Sequence, residues 1–591
     1  MAEMSPERRI ILAFALSFLV LVGWSAYMRE IAPPPKTSPA EEAPLLPSAE
    51  IAPVLPAPIF AGAPLPETKQ GTEERTITVE TSHATITFST RGAVVQSWTL
   101  KHYRDQQGEP LDLAQGARTG LGFPLEIALD DPQQEAALNQ AVFVSTADGV
   151  LASAMLMAPV ELVFEWSTGQ LAAEKRFRFP DGYTIEVETR VWVSGEQVAH
   201  QVAWRGGFGE PSTLSSRFQT QFLLRTPEGL RRTTVEAATQ TTGWLFKSAP
   251  QFPPYTGEAS YAGIEDQYFA AVFFPENTGV SAAVASAEWT PPGEGQKPQK
   301  IGALSLGAAG GGDNRFRLFV GPKAIQELAL ITAPALSDGT QPVLADELID
   351  YGWFWWVAKP LFVSMQWIYK NVWSNYGWVI IILTLLINTI IFPLKYKSML
   401  ASVKMQKLAP QMRAIQDKYK KYKFNDPRKQ QQQQEVMALY RQHGVNPMGS
   451  CLPMLLQLPF FYGFYKVLAS SIELRQAPWF GWVQDLSQPD PYYILPVVMA
   501  LAMYFSMKMT PMTTADPGQQ KLMQFMPLMF GFFFLSFPAG LVLYWLMSSV
   551  AGVGQQWWIN KRQREHDQAE KLAAKERKKE KRRGQQAGNR D

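Results

Sequence analysis

The sequence predicts a membrane α-helical bundle of six transmembrane helices, five of them in one C-terminal core, with a large all-β sandwich domain outside the cytoplasmic membrane and a cytoplasmic helical hairpin. Three observations predict it. Apolar residues gather in one block near the N-terminus and in several blocks between Gly352 and Asn560. Between them, from about Thr76 to Pro334, apolar residues recur with period two, the signature of half-buried strands. Lys and Arg collect in alternate loops of the apolar region, as they do on the cytoplasmic face of a membrane. The averages hide this pattern: a mean hydropathy of −0.11 and a charged fraction of 18% over 591 residues would also describe a soluble protein. Many of the 18 Trp stand at the ends of apolar blocks, where amphipathic rings mark membrane–water interfaces.

Composition narrows the chemistry. A net charge of +2 says less about partners than its distribution does. The single Cys451 excludes an internal disulfide framework and a Cys-based zinc site. The five His are scattered along the chain without a ligand spacing such as H-E-x-x-H, so no metal is expected. No P-loop pattern is present, and no cofactor is expected.

Residues 1–30 hold the first apolar block, 10–28, which follows Arg8 and Arg9 and ends at Arg29-Glu30. About 20 residues at about 1.5 Å rise cross a hydrocarbon core of about 30 Å. A cleaved signal peptide is the rival reading. The block is long for one, and no small-x-small cleavage site precedes the proline-rich stretch, so a retained anchor with a cytoplasmic N-terminus is expected. Residues 31–70 form a linker with eleven prolines between Pro33 and Pro66, an extended spacer that buries little.

Residues 71–340 are expected to form the sandwich. Segments 76–90, 175–180, 183–193 and 314–321 alternate apolar with polar or charged residues, and Gly, Pro and Asp punctuate them. A sugar-handling sandwich stays open as an alternative, although no paired carboxylates or His cluster stand out. Over 345–375 the chain turns aromatic. Leu361, Met365, Ile368, Tyr369 and Val372 make a helical stripe opposite Ser364, Gln366, Lys370 and Asn371, so a Trp-rich helix lying in the interface plane is expected.

Residues 376–560 hold the five-span core. Trp378–Leu394 reads as one span, 447–470 and 491–507 as two more. The block 522–559 is too long for one crossing and is divided by a turn at Ser536–Gly540. Between the first two lies the hairpin, 396–443, with a seam of Leu408, Met412, Ile415, Tyr419 and Tyr422 spaced 4-3-4-3. Asn425-Asp426-Pro427 then offers an N-cap and a first-turn Pro, and Val436, Leu439 and Tyr440 supply a second stripe. The Lys density of this segment, including Lys404 and Lys407, fits a solvated face, anionic headgroups or ribosomal RNA. The tail, 561–591, carries twelve Lys/Arg against six Asp/Glu. Loop 471–490 has Arg475 as its one basic residue. Both termini therefore belong in the cytoplasm, and the β domain on the other side.

Polar residues inside spans are costly and so informative. Thr384 and Asn388 lie one turn apart in the second span, Gln457 sits mid-span between Pro453 and Pro459, and Ser548 and Ser549 follow Tyr544-Trp545 in the last. Interhelical hydrogen bonds, worth about 0.6 kcal/mol on average, are the bland account of each. Amides and hydroxyls gathered without a mid-membrane acid weaken an ion-coupled transporter, which stays open as the other alternative, and favour an uncharged, wettable groove.

Three long stretches, NPMGSCLPMLLQLPFFYGFY (446–465), ELRQAPWFGWVQDLSQPDPYYILP (473–496) and DPGQQKLMQFMPLMFGFFFLSFPAGLVLYW (516–545), resemble the YidC family of the YidC/Oxa/Alb membrane-protein insertases. The match covers roughly 345–560, and the anchor with its β domain matches the Gram-negative arrangement more loosely. The resemblance implies an insertase without chemistry in the bacterial inner membrane, with a periplasmic β sandwich and five spans enclosing a hydrophilic groove open to cytoplasm and lipid. It implies nascent membrane proteins as substrates, the Sec translocon as partner, the ribosome as a possible contact of the basic hairpin and tail, the lipid bilayer as medium, and no small-molecule substrate. Thr384, Asn388, Gln457 and Ser548 would line the groove; Phe461, Tyr544 and Trp545 would form the face along which a substrate helix slides; Lys404 and Lys407 would be hairpin contacts. Cys451 would be a packing residue. The family pattern places an Arg in the second span where this chain has Asn388, which offers hydrogen bonds but no charge. Lys395 and Lys397 either share that role or snorkel to the interface.

Cysteines introduced at Gln431 and at Thr85 in a Cys451→Ser background are expected to label from opposite sides of intact inner membrane. Labelling from one side contradicts the six-span arrangement.

Overall fold

The alternation read in the sequence becomes a hairpin at the start of the described chain. Strands Thr76–Glu80 and Ala84–Ser89 pair antiparallel, with Thr76 opposite Ser89 and Glu80 opposite Thr85. The computed structural model describes residues 68–105, 107–147, 155–210, 220–239, 250–291, 298–422, 426–444, 452–509 and 517–587. The anchor over 10–28, the linker up to residue 67, Asn425 and Cys451 lie outside the described residues. The chain divides into two units, the second beginning at Asp350.

The first unit is built on three sheets of five, ten and five strands. In the ten-stranded sheet, Leu171–Phe179, Thr184–Val193 and Asp313–Pro322 run side by side and antiparallel. Ile185, Val187 and Val191 are buried, while Glu186, Glu188 and Arg190 carry cross-strand ion pairs on the other face. Arg190 meets Asp313 at 2.6 Å and Arg315 meets Glu188 at 2.9 Å. Arg190 is buried, whereas the more exposed pairs contribute little energy. They do fix register, because a one-residue slip would turn every charge into the core. Strands Tyr261–Glu265 and Phe269–Pro275 are buried on both faces and read as continuous apolar runs, not alternations.

Lys175 locks this unit from inside. Its side chain is fully buried at 0% exposure, and its ammonium donates to the carbonyls of Gly92 at 2.6 Å, Leu125 at 2.7 Å and Ala93 at 3.2 Å. Burial pushes the ammonium down to about 7, and the charge of Glu126 opposes that shift. Three protons thus meet three carbonyls that have no other route to water. The short helix Leu344–Glu347 also belongs to this unit, although the sequence places interfacial helix from residue 345. Arg225 holds the Glu347 carboxylate at 2.9 Å, Tyr261 donates to it at 2.6 Å, and Arg232 donates to the Glu347 carbonyl at 2.8 Å.

The second unit is helical: α1 (Trp355–Asn371), α2 (Tyr376–Lys407), α3 (Ala409–Lys418), α4 (Arg428–Gln442), α5 (Leu452–Ser470), α6 (Ile494–Met509), α7 (Pro517–Phe533) and α8 (Ala539–Ala587). In α1 the expected stripe buries Leu361, Met365 and Ile368, while Trp355, Trp356 and Trp367 are exposed. Val372 departs from the stripe: the helix ends at Asn371 and Val372 is exposed. The Asn375 side chain caps α2 through Gly377 N and Trp378 N. The turn expected at Ser536–Gly540 lies between α7 and α8. Among the described residues, α2 alone is long and apolar enough to cross a membrane; α6 and residues 524–536 are shorter apolar helices.

Only part of the expected hairpin seam closes: Leu408 and Met412 are buried together, Ile415 and Tyr422 are half-buried, and α3 ends at Lys418, before Tyr419 and Tyr422. Met405, Leu408, Met412 and Tyr440 form one buried cluster with Val436 and Leu439 against it, and Tyr419 is buried beyond it. The Asp426 carboxylate accepts the Arg428 N–H at 3.0 Å, but the N-cap position of α4 is Pro427 and not the expected Asp426, and no side chain caps the helix. The tail differs from its expected separation at Lys561, since α8 continues unbroken to Ala587.

Lys175→Met should leave three buried carbonyls unpaired at about 1–3 kcal/mol each. With a urea dependence of about 1–3 kcal/mol/M, pulse proteolysis of the full chain should show the β unit's midpoint lowered by roughly 1 M or more. Lys101→Met, which removes a half-buried pair with Glu80 and one bond to the Thr81 carbonyl, should cost less, about 1–2 kcal/mol.

Candidate functional site

Helical spacing sets two polar stripes against each other. On α2, Thr384, Asn388 and Lys395 lie at i, i+4 and i+11, and on α8, Tyr544, Ser548 and Gln555 repeat that spacing, so each set shares one face. Asn388 is buried and joins the stripes. Its amide nitrogen donates to the Thr384 carbonyl at 2.9 Å and to Ser548 Oγ at 3.4 Å. Its amide oxygen accepts Lys395 Nζ at 2.8 Å, and its backbone carbonyl accepts Gln555 Nε2 at 3.1 Å. The Tyr544 hydroxyl faces both Ser548 of its own helix and Gln457, which brings in α5. A chain of polar groups therefore runs Gln457–Tyr544–Ser548–Asn388–Lys395 across three helices, and no carboxylate pairs with Lys395 among the described residues.

The placement of individual residues sharpens the sequence reading. Thr384 is buried and its hydroxyl donates at 2.6 Å to the Ile380 carbonyl of its own helix, so it stands beside the chain and bonds inward. Tyr544 is only 2% exposed, and its ring stacks on Phe464 at 4.3 Å. It belongs to the polar chain and not to an exposed apolar face. Phe461 and Trp545 are half-buried and meet edge to face at 4.7 Å, with Phe534 5.2 Å from Trp545. Lys404 is exposed near the end of α2, and Lys407 pairs at 3.0 Å with Asp567 on the extension of α8. Gln555 was not anticipated, although its place on the Tyr544–Ser548 stripe is a signal that could have found it.

One end of this helical unit is closed by the loop between α5 and α6. The buried Asp490 carboxylate accepts Trp482 Nε1 at 3.0 Å, Tyr492 N at 3.0 Å and Leu495 N at 2.7 Å. The loop is pinned to the start of α8, where Ala539 N donates to the Gln488 carbonyl at 2.7 Å and Gly540 N to that of Leu486 at 2.9 Å. The indole of Trp479 packs on Gly377, where a Cβ would lie 2.0 Å from its ring. In the same loop, Glu473 accepts Gln366 Nε2 of α1 at 2.9 Å, and burial pushes its carboxyl up to about 7.

Comparison with known proteins accounts for both units. The family described as "60Kd inner membrane protein" matches residues 367–567, and that described as "YidC periplasmic domain" matches residues 76–364. The membrane protein insertase YidC of Syntrophus aciditrophicus is 34% identical over 583 residues, covering 94% of this chain and 99% of the relative. That of Geobacter metallireducens is 34% identical over 580 residues, covering 94% and 98%. A crystal structure of an active YidC insertase with its first transmembrane domain resolved is 19% identical, with a TM-score of 0.34, over 82% of this chain and 93% of that one. On sequence identity that extends nearly end to end, the chain belongs to the YidC family of membrane protein insertases.

Proposed function

We propose that this inner-membrane insertase passes the polar part of a client by exchanging hydrogen bonds along the Gln457–Tyr544–Ser548–Asn388–Lys395 chain. The protein is not an enzyme, and its substrates are membrane proteins. The observation that carries the reading is the joining of α2, α5 and α8 by uncharged side chains alone, with one lysine at the end of the series. Carrying a charge to the bilayer centre costs about 2.5–3.5 kcal/mol on insertion scales. Partners that already hydrogen-bond one another can transfer those bonds to a client at small net cost, since an intramembrane bond averages about 0.6 kcal/mol. The Asn388–Ser548 bond, at 3.4 Å, is longer than the 2.8 Å bond from Lys395 to Asn388 and would open before it. Apolar burial in lipid then drives release.

In this reading the chain crosses the membrane six times, with the anchor at 10–28, α2, α5, α6, α7 and the first part of α8 as spans. Both termini and the 396–443 hairpin face the cytoplasm, and α1 lies in the interface with its exposed Trp among headgroups. Phe461 and Trp545 guide the client's apolar helix, and Tyr544 acts through its hydroxyl. Thr384 shapes α2 beside Asn388. Lys404 and the basic tail meet the ribosome or anionic lipid, and the Sec translocon is a partner. Lys395, at the cytoplasmic end of the series, supplies the positive charge that Asn388 lacks.

Asn388→Leu removes the central amide and should lower insertion of a one-span client several-fold in proteoliposomes, scored by protease protection. Asn388→Arg should retain activity, because its guanidinium can reach the same hydroxyl and the cytoplasmic water. Full activity with Leu together with loss of folded protein for Arg would show that Asn388 merely packs helices.

A further inference from the structure

The strand register of the periplasmic domain brings together two histidines that sequence spacing keeps apart. His83 lies in the turn between strands Thr76–Glu80 and Ala84–Ser89, and His102 lies on the neighbouring strand Val94–Arg104. Lys101 N donates to the His83 carbonyl at 2.9 Å, which sets the two side by side. Their ring centres are 5.7 Å apart with an interplanar angle of 80°. Two imidazoles on one tetrahedral ion have ring centres roughly 5–6 Å apart, given metal–nitrogen bonds of about 2.0–2.1 Å.

A hydrogen-bond relay fixes which nitrogen of His83 is available. Ser82 Oγ lies 2.5 Å from Asp181 Oδ1 and 2.5 Å from His83 Nδ1. The hydrogen bonds from the Ser82 side chain and backbone hold the Asp181 carboxyl below the usual carboxylate range, so it is an acceptor only. The single hydroxyl proton of Ser82 must then go to Asp181, and the His83 Nδ1–H must donate to the serine oxygen. In the neutral imidazole this tautomer leaves the Nε2 lone pair for a ligand. Asp181 is itself held by Ser82 N at 2.9 Å and Gly182 N at 3.1 Å, and the Tyr183 ring lies 4.5 Å from the imidazole. Ligand histidines are oriented in this way, by donating their second nitrogen to a fixed acceptor. His102 is exposed and His83 half-buried, so an ion can enter and water can complete its shell.

We infer that His83 and His102 form a surface site on the periplasmic domain for a divalent transition metal of the zinc or copper type, the class that imidazole favours. The site is independent of the insertion reading.

The test uses the full chain in detergent, purified without a histidine tag. It carries His566→Ala, because His566, Asp567 and Glu570 offer ligand atoms within 4.8 Å of one another and would compete. Zn2+ titrated by calorimetry should bind at one saturable site, and Cu2+ should give an electron paramagnetic resonance spectrum with two nitrogen ligands. His83→Ala and His102→Ala should each weaken Zn2+ binding at least tenfold and remove one nitrogen from the copper spectrum. Ser82→Ala keeps both rings but releases the relay, and should weaken binding roughly 10–100-fold. The metal-free variants should unfold at the parent's temperature, which separates ligand loss from misfolding. A parent without saturable binding, or a site that survives both histidine substitutions, overturns the proposal.

Discussion

A polar side chain inside a membrane span has no water to turn to, so it must bond its own helix or a neighbour. Burial sets the same constraint on Thr384, Asn388 and Ser548 of the helical unit. Thr384 takes the first course and bonds Ile380. Asn388 takes both, reaching Thr384 within α2 and Ser548 on α8, while it receives Lys395 and Gln555. Tyr544 extends the series to Gln457 on α5. Satisfied polar groups hold the interior together, and in the function proposed above the same bonds are those a polar client segment would replace.

The periplasmic unit solves a related problem by different means. Its core holds one fully buried lysine, and three carbonyls from two separate loops converge on it. Its wet sheet face is a lattice of opposite charges whose worth lies in register more than in energy. The Arg225, Arg232 and Tyr261 contacts with 347–348 fasten the C-terminal end of this unit to its own sheets, so the chain leaves it from a defined point.

Much of this was legible where one face of an element is wet. The strands between 76 and 89, 171 and 193, and 313 and 322 alternate because one side is more exposed, and Leu408 and Met412 of the hairpin seam are buried together. Strands 261–265 and 269–275, buried on both faces, carry no alternation to read. The tail was separated at Lys561 because its composition changes there, yet Ala, Glu, Lys, Gln and Arg are good helix formers and no Gly or Pro intervenes before Gly584, so α8 continues. Within the site, polar residue types pointed to Asn388, Gln457 and Ser548, but not to which bonds which. Tyr544 and Trp545 were grouped on one face, although adjacent helical residues point about 100° apart. Tyr544 therefore turns inward while Trp545 meets Phe461. The His83–His102 pair depends on cross-strand register, which linear spacing cannot express.

The central claim is that client polar groups travel beside Asn388 and Ser548, and disulfide trapping tests it most directly. Ser548→Cys is placed in a Cys451→Ser background, and single cysteines are scanned through the polar segment of a ribosome-stalled one-span client. The account predicts strong cross-links from position 548 to that segment and weak ones to the client's apolar helix, with the reverse preference from a Cys at the half-buried Phe461. Cross-links to the polar segment at Phe461 but none at 548 would contradict it.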